Sequence, residues 1–154
     1  MKKTKFFLFV LLTAPFLLTG CADMDGALAG SNRFTFEGTT RSIERTVASQ
    51  TGDNYTFELY SDASGKPNDY FIVLTFPANL NDTLFTIPTA SGNWNVRGAV
   101  SGIAFNGDRS GRDGFQSMNV RIKTIDGAGT HELMFSLALE DNRCMKGYYK
   151  GRIN

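Results

Sequence analysis

Few residues in this chain are equipped for chemistry. Its 154 residues include one histidine, His131, and two cysteines, Cys21 and Cys144. Nucleophilic hydrolysis needs a base held beside a nucleophile, and every histidine role would fall on His131. That residue follows the turn-forming run Asp126-Gly127-Ala128-Gly129 and precedes Glu132, so it reads as a surface residue at a strand end, and no Gly-x-Ser-x-Gly element accompanies it. Paired carboxylates, as in glycosidases, need two acids about 5–10 Å apart in a cleft, yet no acid sits within an apolar run as a buried general acid would. One histidine and two cysteines fall short of the usual zinc spacings. In the polar run Asn106 to Gly114, Asp108 and Asp113 offer oxygens of the kind Ca²⁺ takes in extracellular modules. The spacing is not that of an EF-hand loop, and Arg109 and Arg112 oppose a cation. A solvated loop with internal Asp–Arg pairs is expected, with the two arginines as candidate contacts for an anionic ligand. Trp94, Tyr148 and Tyr149 are candidate stacking surfaces for a sugar or peptide. No metal or other cofactor is expected.

Cys21 stands apart because of what precedes it. Lys2, Lys3 and Lys5 lie in a start without acids, and Phe6 to Leu18 form an apolar run broken only by Thr13, Ala14 and Pro15. A basic start followed by an apolar stretch of this length is the secretory pattern, too short for a comfortable membrane-spanning helix. It ends in Leu18-Thr19-Gly20-Cys21: aliphatic, small, Gly, Cys. These residues resemble the lipobox of bacterial lipoproteins. The resemblance implies that the Cys21 thiol receives a diacylglycerol, that the chain is cut before it, and that the new amine is acylated, with palmitate-like chains. Ala22, where an Asp would favour inner-membrane retention, implies the outer membrane as destination, with the domain facing the periplasm or the surface. One acyl chain holds a protein only marginally, whereas two or three make attachment effectively permanent.

Removing residues 1–20 takes three of the 16 basic residues and none of the 15 acids, which leaves a formal charge of −2 on the mature chain. That balance argues against a nucleic-acid partner, and against holding anionic lipid head groups by charge. A lipidated Cys21 would leave Cys144 no internal disulfide partner, so Cys144 is expected to be a buried thiol near the start of the last strand.

The elements that must position these residues read as β-structure. Asp23 to Asn32 is small, polar and aperiodic, a tether. From Arg33 onward, short runs rich in Phe, Tyr, Val and Thr alternate with Gly, Asn and Asp clusters. Tyr55/Phe57/Leu59, Met118/Val120/Ile122 and Leu133/Phe135/Leu137/Leu139 repeat every second residue, and Trp94, Val96 and Val100 keep the same phase, which puts one face against a core. Tyr70 to Phe76 is apolar almost throughout, as in a central strand covered on both sides. Asp126 to Gly129 and Asp141-Asn142 are hairpin turns, which makes Leu133–Leu139 and Met145–Ile153 partners. Within residues 40–49, Ile43 and Val47 stand four apart as in a short helix, whereas a strand would place Arg45 on their face; the two readings fit equally. On the final strand, Tyr148 and Tyr149 face opposite sides, one to the core and one outward. Lys146, Lys150 and Arg152 read there as guards of a sheet edge.

The expected fold is therefore all-β, an antiparallel sandwich of about eight strands, with a small closed barrel as the alternative. Gly92-Asn93-Trp94 resembles the Gly-x-Trp element of lipocalins, which implies such a barrel with an apolar cavity. In that family a Thr-Asp-Tyr-like element comes later, whereas here Asn68-Asp69-Tyr70 comes first. The organisation expected is a cleaved signal over 1–20, an anchor and tether over 21–32, and one β-domain over 33–154. The function expected is that of a non-enzymatic envelope module, held to the membrane through Cys21, that binds a protein, glycan or envelope component. A carrier of a small apolar ligand and a small envelope hydrolase are the alternatives.

Overall fold

The computed structural model describes Cys21 and residues 30–153; the expected signal segment and residues 22–29 of the tether lie outside the described residues. Twelve strands, β1 (Arg33–Phe36), β2 (Thr39–Ser42), β3 (Arg45–Thr51), β4 (Asn54–Tyr60), β5 (Tyr70–Pro77), β6 (Leu84–Ile87), β7 (Asn95–Val100), β8 (Ile103–Asp108), β9 (Arg112–Asp113), β10 (Phe115–Thr124), β11 (Thr130–Leu139) and β12 (Cys144–Arg152), form the described fold with a single 3-10 turn at Ala78–Leu80. They make two antiparallel six-stranded sheets. Sheet A has the order β2-β1-β12-β11-β10-β6, and sheet B the order β3-β4-β5-β7-β8-β9.

The sandwich expected from the alternating runs is the observed fold, with more strands than the eight counted from sequence. The barrel alternative fails because neither sheet closes: β2 and β6 end one, β3 and β9 the other. Residues 40–49 resolve as two strands. Ile43 sits in the bend between β2 and β3, where the chain crosses from sheet A to sheet B, and packs against the core. Val47 points outward, 39 % exposed, so the pair never shared a face.

The inner faces are joined by rings. Tyr55 meets His131 at 5.5 Å, Phe57 meets Tyr149 at 6.0 Å, Phe76 meets Phe85 at 5.1 Å and Phe105 meets Phe115 at 6.2 Å, each pair reaching from sheet B to sheet A. Burial of such a side chain contributes about 1.5–3 kcal/mol, and a well-placed ring pair about 0.5–1.5 kcal/mol more. Two glycines make room for rings. Gly147 pairs with Phe34 on one side and Phe135 on the other, and a Cβ there would overlap the Phe135 ring. Gly98 sits likewise under its cross-strand neighbour Phe105.

Aspartates set several turns. Asp126 accepts from the backbone N–H groups of Ala128 and Thr130 at 3.0 and 3.1 Å, closing the β10–β11 hairpin. Asp141 accepts from Arg143 N–H at 3.1 Å before β12, beside Asn142 in the left-handed region at φ 67°. Such side-chain-to-backbone bonds are why Asp and Asn occupy turns.

Candidate functional site

Cys21 lies on the outer face of sheet A. Alternation places Ser136 and Cys144 on that face, because their neighbours Phe135, Leu137 and Met145 fill the core. The Ser136 hydroxyl donates to the Cys21 carbonyl, and the Cys21 and Cys144 sulfurs are bonded, with Cα atoms 5.7 Å apart. The bond corrects the expectation of an unpartnered, buried Cys144. That expectation followed from reserving the Cys21 sulfur for lipid; with both sulfurs at one sheet face they meet, and Cys144 is half-buried rather than interior. A divalent sulfur holds either the disulfide or a thioether-linked lipid. The neighbouring Arg143 pairs with Asp141 at 2.6 Å and Glu37 at 3.6 Å and lies 5.3 Å over the Phe36 ring. This pairing fixes the β11–β12 turn beside the two cysteines.

The other residues singled out from sequence do not converge. Trp94 is 3 % exposed and packs in the core, so its indole presents no outer face to a ligand; its N–H finds no acceptor among the described residues. Tyr148 and Tyr149 face opposite sides as expected, but both are 6 % exposed. Tyr149 enters the core against Phe57, while Tyr148 lies on the outer face of sheet A. Burial raises the pKa of both phenols, with Glu132 adding to the effect at Tyr148. The Asp–Arg pairs expected in Asn106 to Gly114 do not form. Asp108 instead accepts from the Ser110 hydroxyl and the Ser110 and Gly111 N–H groups, which hold its pKa down. Arg109 donates to the carbonyls of Gly92 and Ala90, and Arg112 to that of Gln116.

His131 corrects the surface reading. It is 7 % exposed and faces the core, its ring edge-on to Tyr55 and its Nδ1 2.9 Å from the Gly129 carbonyl. The sequence held the signal: His131 is in phase with Leu133, Phe135 and Leu137, the inward set. Among the described residues no three His, Cys, Asp or Glu side chains converge as a metal site would require.

Two features emerge only in three dimensions. One is an open groove of about 610 Å³ where β2 of sheet A meets the β4–β5 connection of sheet B, lined by Arg41, Glu44, Ser61, Asn68, Asp69 and Tyr70 among others. Arg41 stands 5.7 Å over the Tyr70 ring, and Asn68 fixes the wall by accepting from Tyr70 N–H at 3.0 Å and bonding Ser61. Its lining carries both signs of charge and an aromatic edge, a composition that suits a polar, hydrogen-bonding partner.

The second is β12 itself. It lies between β1 and β11, so it is not the edge strand that the sequence suggested; Lys146 is flanked on both sides, whereas Lys150 and Arg152 extend past the end of β1 and pair with β11 alone. No family model, curated protein or solved structure matches this chain.

Proposed function

We propose that this protein is a lipid-anchored, non-enzymatic module of the bacterial cell envelope, which binds a protein, glycan or other envelope component. The observation that carries the reading is the ordered run of basic start, apolar stretch and Leu18-Thr19-Gly20-Cys21, with Cys21 on the outer face of sheet A and outside the core cluster, though only 8 % exposed there. In the mature envelope form the Cys21 sulfur carries diacylglycerol and Cys144 stays a thiol. The Cys21–Cys144 bond belongs to chains that escape acylation. The partner site is the groove between Arg41 and Asp69, whose polar lining suits hydrogen-bonded recognition. The non-enzymatic reading is supported by His131, the single histidine, whose ring is packed against Tyr55 in the core.

The test is the mass of the N-terminal peptide of protein extracted from membranes, compared with a Cys21→Ser variant. A diacylglyceryl adduct on Cys21, absent from the variant together with membrane attachment, is the expected result. A variant processed and membrane-bound like the parent overturns the anchor. For the groove, Arg41→Ala and Asp69→Ala are expected to abolish cross-linking to the envelope component captured by the parent. Unchanged capture would place the partner elsewhere.

A further inference from the structure

The strands of sheet A carry seven basic residues and one acid, Glu132, whereas those of sheet B carry three of each. Register shows where the excess goes. Across the outer face of sheet A, Arg33 lies beside Tyr148, Tyr148 beside Met134, Met134 beside Arg121, and Arg121 beside Leu84. The adjoining row runs Lys150, Glu132, Lys123, with Lys146 and Arg152 on the same face of β12. Arg121, Lys123, Lys150 and Arg152 are exposed. Leu84, on the same face of edge strand β6, is 64 % exposed. Edge protection does not explain Arg121 or Lys146, which lie within stretches of β10 and β12 paired on both sides; Lys123, Lys150 and Arg152 lie just past the ends of β6 and β1.

Cys21 sits on this same face, where the Ser136 hydroxyl donates to its backbone carbonyl, a contact that does not use the Cys21 sulfur. We infer that the outer face of sheet A is a membrane-docking surface, which lies against anionic phospholipid head groups with its cations paired to phosphate and Leu84 at the interface. The inference rests on the anchor proposed above, since a lipid leaving Cys21 brings this face, and not sheet B, to the bilayer. The formal charge of −2 over the mature chain conceals the asymmetry: the acids lie largely in turns and on sheet B, while the anchored face is basic. Charges act on a surface within a Debye length of about 8 Å, so the local face decides the contact.

The test uses the full acylated protein in vesicles of phosphatidylcholine alone and of phosphatidylcholine with phosphatidylglycerol. Lysines are labelled with an amine reagent and read by mass spectrometry. Labelling of Lys123 and Lys150 is expected to slow severalfold on the anionic vesicles, while exposed Lys66, in the β4–β5 connection of sheet B, labels at one rate on both. High salt is expected to erase the difference. Equal labelling on the two vesicles overturns the inference. So does protection that appears only when peptidoglycan is added, which would assign the face to the cell wall.

The N-terminal peptide from the same digest shows whether Cys21 is acylated. Should it carry no lipid, the anchor fails while the face is still tested, by sedimenting the unacylated protein with anionic vesicles. Each cation removed is expected to weaken that binding about fivefold, so Arg121→Gln/Lys123→Gln/Lys150→Gln loses about a hundredfold. An Arg45→Gln/Arg97→Gln variant on sheet B binds like the parent. Failure of the parent to sediment, or equal binding by the triple variant, overturns the face.

Discussion

Replacing Cys144 by Ser separates the two fates of the Cys21 sulfur. In an unacylated, oxidised chain the Cys21–Cys144 bond spans a sequence separation of 123 residues. Closing a loop of that size removes unfolded-state entropy equivalent to about 5 kcal/mol, and native disulfides usually realise about 2–5 kcal/mol. Cys144→Ser, or a reductant, is therefore expected to lower the stability of that chain by about 2–5 kcal/mol. In the acylated protein no such bond exists, and the substitution exchanges a half-buried thiol for a hydroxyl, with an expected cost below about 1 kcal/mol. Trp94 reports both transitions, being the single tryptophan and 3 % exposed when folded, so urea unfolding followed by its emission supplies both free energies. A loss of about 2–5 kcal/mol on reduction of the acylated protein would refute the reasoning, since one sulfur cannot hold thioether and disulfide together. Absence of any loss in the unacylated, oxidised chain would refute the cross-link.

Gly147→Ala adds a methyl where the Phe135 ring already lies; overpacking of this kind costs about 1–3 kcal/mol, or several degrees of Tm by calorimetry. Phe135→Leu in the same chain is expected to restore part of that loss, and a Gly147→Ala protein as stable as the parent would contradict the packing described. On the acid side, hydrogen bonds from turn donors hold Asp62, Asp108 and Asp126 below the usual carboxylate range, as the Arg143 side chain does for Asp141. A carboxylate lowered in the folded state stabilises above its unfolded pKa and loses that contribution as pH falls through the folded one. Urea midpoints are thus expected to hold near neutrality and drop below about pH 4, and midpoints that rise on acidification would count against these turns. On the alkaline side, burial raises the pKa of Tyr149, Tyr148 and Tyr60. Their contribution is complete below the unfolded phenol value of about 10 and fades as pH rises through the folded values. Tyrosinate absorbance measured in folded and urea-unfolded protein checks this, the folded protein titrating at the higher pH.

Much of the sandwich was legible because a half-buried strand writes its two faces as a period of two. Phe57 and Leu59 against Glu58, or Val120 and Ile122 against Arg121, need no knowledge of their partners. The failures occur where the deciding contact is distant in sequence. His131 was judged by its chemical type and turn-side position rather than by its phase, which matches Leu133 and Phe135. Ile43 and Val47 look like one helical stripe because local spacing does not show that the chain changes sheets between them. Cys144 looked unpartnered because the lipobox reserved the Cys21 sulfur for lipid, and nothing local shows that the two cysteines, 123 residues apart, meet on one sheet face.

The same limit governs charge. Lys146, Lys150 and Arg152 alternate along one strand and are visible as a stripe in the sequence, but their meaning depends on what lies beside that strand. At a sheet edge such a stripe repels a second sheet. On a strand flanked by β1 as far as Tyr148 and by β11 throughout, it adds to Arg33, Arg121 and Lys123 across neighbouring strands. Net charge sums over the whole surface, and so it argued against an electrostatic membrane contact. A tethered protein does not sample its surface evenly. If the lipid leaves from Cys21, the face around Ser136 and Cys144 meets the bilayer first, and a charge of either sign on sheet B lies beyond the screening length of that contact. On the proposed anchor, its position, more than the composition of the chain, would decide which charges the membrane meets.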